Sequence, residues 1–248
     1  MSYGELCTRF YDLDKPHAPE LALEWFSARL PQGRILEPMC GSGRFLLPLL
    51  QQGRSVDGLD ASEAMLRACS ARLAAAGIAH ASPWRAEDYA RCRLWLQGLD
   101  SLALPVTDYA AAFIPSSSFC LLADPAPALR RLAAHLAPGG LLLLEFEPPH
   151  EAPAPPAETT RTVHKGAEQI RLVMRHEYDA QARVEHYFNQ YELKRSGRVV
   201  QTETETLRLQ CYSPQELRAL LEANGFADAG IEHAGFGWCA SATRYMLV

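Results

Sequence analysis

The sequence predicts an α/β protein whose core is a doubly wound sheet of parallel strands. Two observations carry that expectation. From about residue 20 to residue 147, short apolar runs alternate with amphipathic stretches, the pattern left when parallel strands are joined by crossover helices. Early in that region an apolar run passes through a Gly-Ser-Gly turn into a helical pattern, the strand–turn–helix unit that opens the ligand-binding edge of such sheets. The 248 residues suit one large domain with an embellishment. At this size folding hides roughly 70% of the unfolded surface, so no metal or disulfide staple is needed.

In chain order, the strand-like runs are RILEP (34–38), SVDGLD (55–60), RCRLWL (91–96), YAAAFIP (109–115) and GLLLLEFEP (140–148). Around and between them, ELALEWFSARL, GRFLLPLLQQG, SEAMLRACSARLAAAG and PAPALRRLAAHLAPGG place apolar residues three and four apart and read as helices. The stretch AHASPWRAEDYA (79–90) fits neither template and reads as a short insertion of a helical turn or two. Then PPHEAPAPPAETT carries five prolines, which disfavour both helix and central strand and mark a loop. Beyond it, β-rich runs broken by Gly, Asp-Ala and Ser-Gly predict an antiparallel meander. SPQELRALLEANGF is a helix by its ends: Ser213 at the cap, Pro214 in the first turn, Glu216 three residues on, Asn224-Gly225 at the close. Two more strand-like runs flank Gly235–Gly237.

Charge and cysteine usage narrow the function classes. Twenty-four basic residues against 29 acidic ones give −5, and the basic residues are scattered, which argues against a phosphate-backbone footprint and a nucleic-acid partner. The seven cysteines are odd in number, with no Cys-x-x-Cys pair and no histidine cluster at ligand spacing, so they read as reduced thiols and no metal is expected. The opening MSYGELCTRFYDLDKP lacks the basic-then-apolar order of a secretory signal, and the run LLLLEF is far short of the ~20 residues of a span. The expectation is a cytoplasmic protein with no membrane partner.

The chemistry concentrates in ILEPMCGSGRFLLPLL (35–50). Gly41 and Gly43 let the backbone approach a ligand at a helix start, while Glu37 just before the turn repels phosphate and suits an ammonium. Asp60 ends the next strand about 20 residues on, where it can accept from the two hydroxyls of a ribose; Ser62 is the better helix cap and leaves Asp60 free. Together the acids describe a ligand with a cation, a ribose and a base.

On these residues the chain resembles the class I S-adenosylmethionine-dependent methyltransferases, over nearly its whole length, and among them bacterial small-molecule methyltransferases. The resemblance implies a Rossmann-like, doubly wound seven-stranded sheet over residues 1–151 and 212–248. Residues 152–211 then form an antiparallel β insertion that covers the substrate or makes a homodimer surface. It implies S-adenosylmethionine as cofactor, with Glu37, Met39, Gly41 and Gly43 in the first loop, Asp60 and Ala61 at the ribose, Gln97, Gly98 and Leu99 against adenine, and Pro115 at the end of the fourth strand. Met39 stands where the family usually has its first loop glycine. Tyr11, Ser116, Ser117 and Glu147 are the expected substrate contacts. Tyr3, Phe10 and Tyr11 read as a lid over the cofactor or as packing against the first of the helices above. The implied function is in-line methyl transfer to nitrogen or oxygen of a small molecule, a reaction that needs positioning more than a protein nucleophile. Glu145 and Glu147 are the catalytic candidates, as carboxylates that orient an acceptor amine. Two alternatives stand beside this reading: a nicotinamide-dependent oxidoreductase, against which Glu37 and the missing third glycine (Leu46) speak, and a non-catalytic module that holds the same cofactor.

Overall fold

The computed structural model describes residues 3–85, 91–151 and 156–245. In chain order its elements are α1 (Glu5–Asp14), α2 (Glu20–Arg29), β1 (Arg34–Pro38), α3 (Leu46–Gln51), β2 (Ser55–Asp60), α4 (Glu63–Ala75), β3 (Leu94–Leu96), β4 (Tyr109–Ile114), α5 (Pro125–His135) and β5 (Leu136–Phe146). There follow β6 (Ala157–Lys165), β7 (Glu168–Asp179), β8 (Val184–Arg195), β9 (Arg198–Gln210), α6 (Pro214–Glu222), β10 (Phe226–His233) and β11 (Trp238–Arg244).

Seven strands form one sheet in the order β10-β11-β5-β4-β1-β2-β3. Strands β3, β2, β1, β4 and β5 run parallel, and β11 lies antiparallel to both β5 and β10. The expected α/β, Rossmann-like sheet is therefore present, with an antiparallel edge. Its central parallel strands β1, β2 and β4 are almost fully buried, as strands covered on both faces must be. Two apolar clusters mark those faces: Leu36, Ile114, Leu129, Leu144 and Leu217 belong to one, and Phe26, Ile35, Leu49, Leu66 and Phe113 to the other. The chain order reverses between β1 and β4, and the carboxyl ends of strands at such a switch point are where open α/β sheets bind ligands.

One polar anchor lies within the sheet. The Asp57 carboxylate, fully buried on β2, accepts from Arg34 Nε and Nη2 (both 2.6 Å), from Tyr109 OH (2.8 Å) and from the Arg93 amide (2.7 Å). This ties β1, β2, β4 and the approach to β3 together at a point where each oxygen has its donors.

Helix ends follow their sequences. Ser213 and Glu216 form the reciprocal capping box of α6, Ser62 caps α4, and the Asp124 side chain accepts from the Ala126 amide at the start of α5. The third strand is shorter than expected: only Leu94–Leu96 pair with β2, while Arg93 makes an isolated bridge to Ala81. Ala81, Ser82 and Arg85 are engaged in such bridges rather than in a helical turn; the remainder of that insertion, 86–90, lies outside the described residues. β5 begins at Leu136, earlier than expected, because Leu136 pairs with Tyr109 across a register shift. β6 begins at Ala157, inside the stretch expected to be loop, because β7 offers it a pairing partner out to His176.

Strands β6 to β9 form a separate four-stranded antiparallel meander. Helix α1, which the sequence pattern did not suggest, packs Leu6, Cys7 and Phe10 against Ile170, Leu172, Tyr191 and Leu193 of that sheet. Its first turn is capped from β9: the amides of Leu6 and Cys7 both donate to the Glu203 carboxylate at 3.0 Å. Gly4 at the cap position makes this approach possible, since a Cβ there would lie 2.4 Å from the carboxyl. Ion pairs from Arg9 to Glu168 and from Arg161 to Asp14 hold the helix on the meander, and Arg72–Asp12 (2.8 Å) holds it on α4.

Candidate functional site

Two adjoining cavities open at the carboxyl ends of β1, β2 and β4. The smaller, about 570 Å³, is bounded by Met39, Gly41, Asp60, Ala61, Gln97, Gly98 and Leu99, with Leu59, Met65 and Leu122 as apolar surface. The larger, about 820 Å³, lies between the serine loop after β4, the end of β5, helix α1 and the meander. Tyr3, Tyr11, Ser118 and Leu121 belong to both walls.

The first loop is built by backbone conformation. Met39, Gly41 and Gly43 all have positive φ (59°, 53° and 80°), so Met39 adopts the left-handed geometry that glycine ordinarily supplies. A Cβ on Gly43 would also lie 2.7 Å from Cys69 Sγ, so this glycine serves the packing of the loop on α4 and does not itself face the cleft.

Asp60 differs from expectation in one respect: it is not free. Its Oδ2 accepts from the Gly41 amide and its Oδ1 from the Ser62 amide, both at 2.8 Å, while Ser62 Oγ accepts from Met65 and donates to the Tyr3 carbonyl. Burial pushes the Asp60 carboxyl above its usual value and the backbone N–H groups pull against that. The Ala61 amide adds to that pull, and the lone pairs that remain on the carboxylate are left for a ligand hydroxyl in the cleft.

Glu37 is 2% exposed and absent from the cleft wall, yet its Oε2 is buried with no hydrogen-bond partner. Burial pushes its carboxyl well above the ordinary range, with Arg44 opposing. A buried acceptor oxygen left open beside a ligand cleft is the feature that a cationic amine completes. The two acceptors thus fit the group the sequence implied, one carboxylate for an ammonium and a second for ribose hydroxyls. The Gln97–Leu99 segment lies on the wall with Asp100, which the sequence reading passed over.

The serine loop is strained. Ser116 and Ser117 both have positive φ (59° and 53°), an uncommon pair for side chains with a Cβ. Three contacts hold it: the Ser116 amide donates to Glu145 Oε2 (2.7 Å), Ser117 Oγ donates to Glu147 Oε1 (2.7 Å), and Arg44 Nη2 donates to Ser116 Oγ (2.9 Å). Glu145 and Glu147 therefore each commit one oxygen to the loop, and both line the larger cavity with Ser116 and Ser117. Burial raises the Glu145 carboxyl, partly offset by the Ser116 N–H. Pro115 lines neither cavity; its carbonyl accepts from the Ser118 amide at the base of the loop, and Ser118 takes the place in the wall expected of it.

Tyr11 reaches both cavities under the Arg44 guanidinium, which sits 5.1 Å from its ring centre. Tyr3 does likewise, whereas Phe10 faces the meander 5.6 Å from Tyr191 and borders only the larger cavity. Arg44 was missed in the sequence because a lone arginine after a glycine turn carries no pattern; so were the meander's contributions, Tyr187, Asn189, Tyr191 and Glu205. Tyr187 OH donates to buried Glu185, which also contacts His150 Nε2 at 2.6 Å. Among the described residues no cluster of side chains suited to a metal is present, and no helix is long and apolar enough to cross a membrane.

Comparison with known proteins bears on the domain and the fold. Residues 36–142 match the family model of a methyltransferase domain. A 23S rRNA (uracil(1939)-C(5))-methyltransferase of Cupriavidus pinatubonensis is 47% identical over 49 residues, 20% of this chain and 11% of that protein. The chain matches no more than 30% of the length of any of its closely scoring sequence relatives. The sugar N-methyltransferase KedS8 of a Streptoalloteichus species superposes with a TM-score of 0.76 at 18% identity, over 99% of this chain and 95% of that one. The CcbJ methyltransferase of Streptomyces caelestis does so with 0.73 at 20% identity, over 100% and 99%. The two likenesses bear on the fold alone, and the family match on residues 36–142: that stretch matches a methyltransferase domain, and the chain shares the fold of these methyltransferases.

Proposed function

We propose that the protein transfers the methyl group of S-adenosylmethionine to an amine nitrogen of a small polyhydroxylated molecule, such as an amino sugar, held in the larger cavity. The observation that carries this reading is the wall of Tyr3, Tyr11, Ser118 and Leu121 shared between the cofactor cleft and a cavity bearing Glu145 and Glu147. Carboxylates there favour a cationic or hydrogen-donating acceptor. The net charge of −5 speaks for a small molecule over an RNA, and the solved likeness named a sugar N-methyltransferase supports the choice of nitrogen.

In this reading Glu37 holds the amino-acid ammonium, Asp60 the ribose hydroxyls, and Gln97, Gly98 and Leu99 the adenine. The cofactor supplies an activated methyl group, so the chain's task is alignment at about 3 Å. Glu145 and Glu147 orient the amine, and the serine loop they anchor sets where it points. The proton leaves to water. The meander, β6 to β9, acts as the cover of the acceptor site.

The test is formation of S-adenosylhomocysteine from S-adenosylmethionine in the presence of a panel of amino sugars, with parallel calorimetric titration of NADH. Turnover with at least one amine, lowered tenfold or more in Glu145→Gln or Glu147→Gln, is expected. Methyl transfer unchanged in both variants removes their role. Tight cofactor binding with no turnover on any amine favours the non-catalytic module, and preference for NADH the oxidoreductase.

A further inference from the structure

The meander's side of the larger cavity holds two acceptor oxygens with nothing to accept. Asn189 on β8 and Glu205 on β9 are directly paired across the strands, and both line the cavity. Asn189 is 7% exposed; its amide nitrogen donates to Glu205 Oε2 at 3.2 Å, and its Oδ1 is shielded from solvent without a partner. Glu205 gathers every donor onto that same Oε2, from Asn189, from Cys7 Sγ (3.6 Å) and from Tyr191 OH (3.4 Å), while Oε1 is likewise shielded and unpartnered. The three donors are an amide, a thiol and a phenol, all neutral. Leu172, Met174 and Leu207 supply apolar wall beside the pair, and the Tyr3 phenol, which feels the Glu205 charge, makes no hydrogen bond to either open oxygen. A buried acceptor left open is costly, and two adjacent ones on side chains that line a cavity select a ligand that brings donors of its own.

We propose that Asn189 Oδ1 and Glu205 Oε1 form a recognition subsite for a hydroxyl group of the acceptor, apart from the nitrogen that is methylated. This rests on the amine-methylation reading above and adds to it the residues that read the rest of the molecule. The subsite belongs to the meander, whereas Glu145 and Glu147 stand at the carboxyl end of β5, so the acceptor is gripped from two sides. A site built to bond a hydroxyl rejects the analogue lacking it more strongly than an apolar site rejects a missing methylene.

The test compares two six-membered-ring amines, 2-amino-2-deoxyglucose and cyclohexylamine, titrated calorimetrically into the full chain saturated with S-adenosylhomocysteine. The readout is the ratio of the two affinities, because a merely structural loss weakens both probes together. The wild type is expected to prefer the aminohexose at least tenfold, with the preference falling to within about threefold of parity in Asn189→Leu and in Glu205→Met. Glu205→Gln, which keeps a carbonyl acceptor and the size of the side chain, is expected to retain much of the preference and guards against a variant that fails to fold. A wild type that binds both probes alike, binds neither, or keeps its preference in both apolar variants overturns the subsite. Failure to bind S-adenosylhomocysteine at all overturns the methyl-transfer reading beneath it.

Discussion

Replacing Glu37 by glutamine removes a charge from the loop at almost constant volume, and the structure gives the expected effect a sign in two separate measurements. The Glu37 carboxyl is 2% exposed and one of its oxygens has no partner, so burial lifts its pKa well above the ordinary 4.5. Between 4.5 and that raised value the folded chain holds a proton that the unfolded chain has released. Its contribution to stability is full below the unfolded value and is lost as pH rises through the folded one. Glu37→Gln abolishes that slope, so the variant without cofactor should melt no lower than the wild type near neutral pH. An ammonium in the cleft requires the carboxylate, so cofactor binding expels the proton and tightens as pH rises toward the folded value. Loss of a charged hydrogen bond of this kind costs about 3 kcal/mol, close to a hundredfold in affinity. Calorimetry of S-adenosylmethionine in two buffers of different ionisation heat, with thermal melts of both proteins, checks this. A variant that binds the cofactor as well as the wild type, or a wild type that releases no proton on binding, would refute the assignment of Glu37 to the ammonium.

Other substitutions have equally definite outcomes. Asp57→Ala strands the Arg34 guanidinium and two further donors, the Tyr109 hydroxyl and the Arg93 amide, and should cost about 3–5 kcal/mol in chemical denaturation, with unchanged stability removing Asp57 as the anchor of the sheet. Gly43→Ala meets both a φ of 80° and Cys69 Sγ at 2.7 Å, for a loss of about 1–3 kcal/mol; adding Cys69→Ala should restore the steric part and leave the conformational part. Glu203→Ala uncaps α1, so hydrogen exchange at the Leu6 and Cys7 amides should quicken while exchange in β1 does not change. Ser213→Ala breaks the capping box of α6 and should lower stability by about 1 kcal/mol.

The central sheet was legible because its signals are local. An apolar run such as YAAAFIP has one environment to satisfy, and Ser213, Pro214 and Glu216 announce a helix start within four residues. Glu37, Gly41 and Asp60 were legible for the same reason, being fixed to strand ends and a turn. What escaped depends on partners distant in sequence. Helix α1 owes its place to Glu203, almost two hundred residues away, and its own pattern of Leu6, Cys7 and Phe10 makes sense only against the meander. The freedom expected of Asp60 failed because the amide of Gly41, nineteen residues earlier, comes to bond it. Met39 shows the opposite case: its departure from the glycine of the family was visible in the sequence, yet only the backbone reveals that it keeps the glycine's conformation.

Helix α1, through Tyr11, and Tyr3 just ahead of it wall both cavities at once, and the helix is held in place by a cap and ion pairs from the meander. Any ligand that settles this helix lowers the ordering cost for a ligand on its other side, and thermodynamic reciprocity makes the benefit equal in both directions. The cofactor should therefore strengthen acceptor binding by the same factor by which the acceptor strengthens cofactor binding. On the proposed reaction, release should follow the same coupling: departure of one product weakens the grip on the other by that factor.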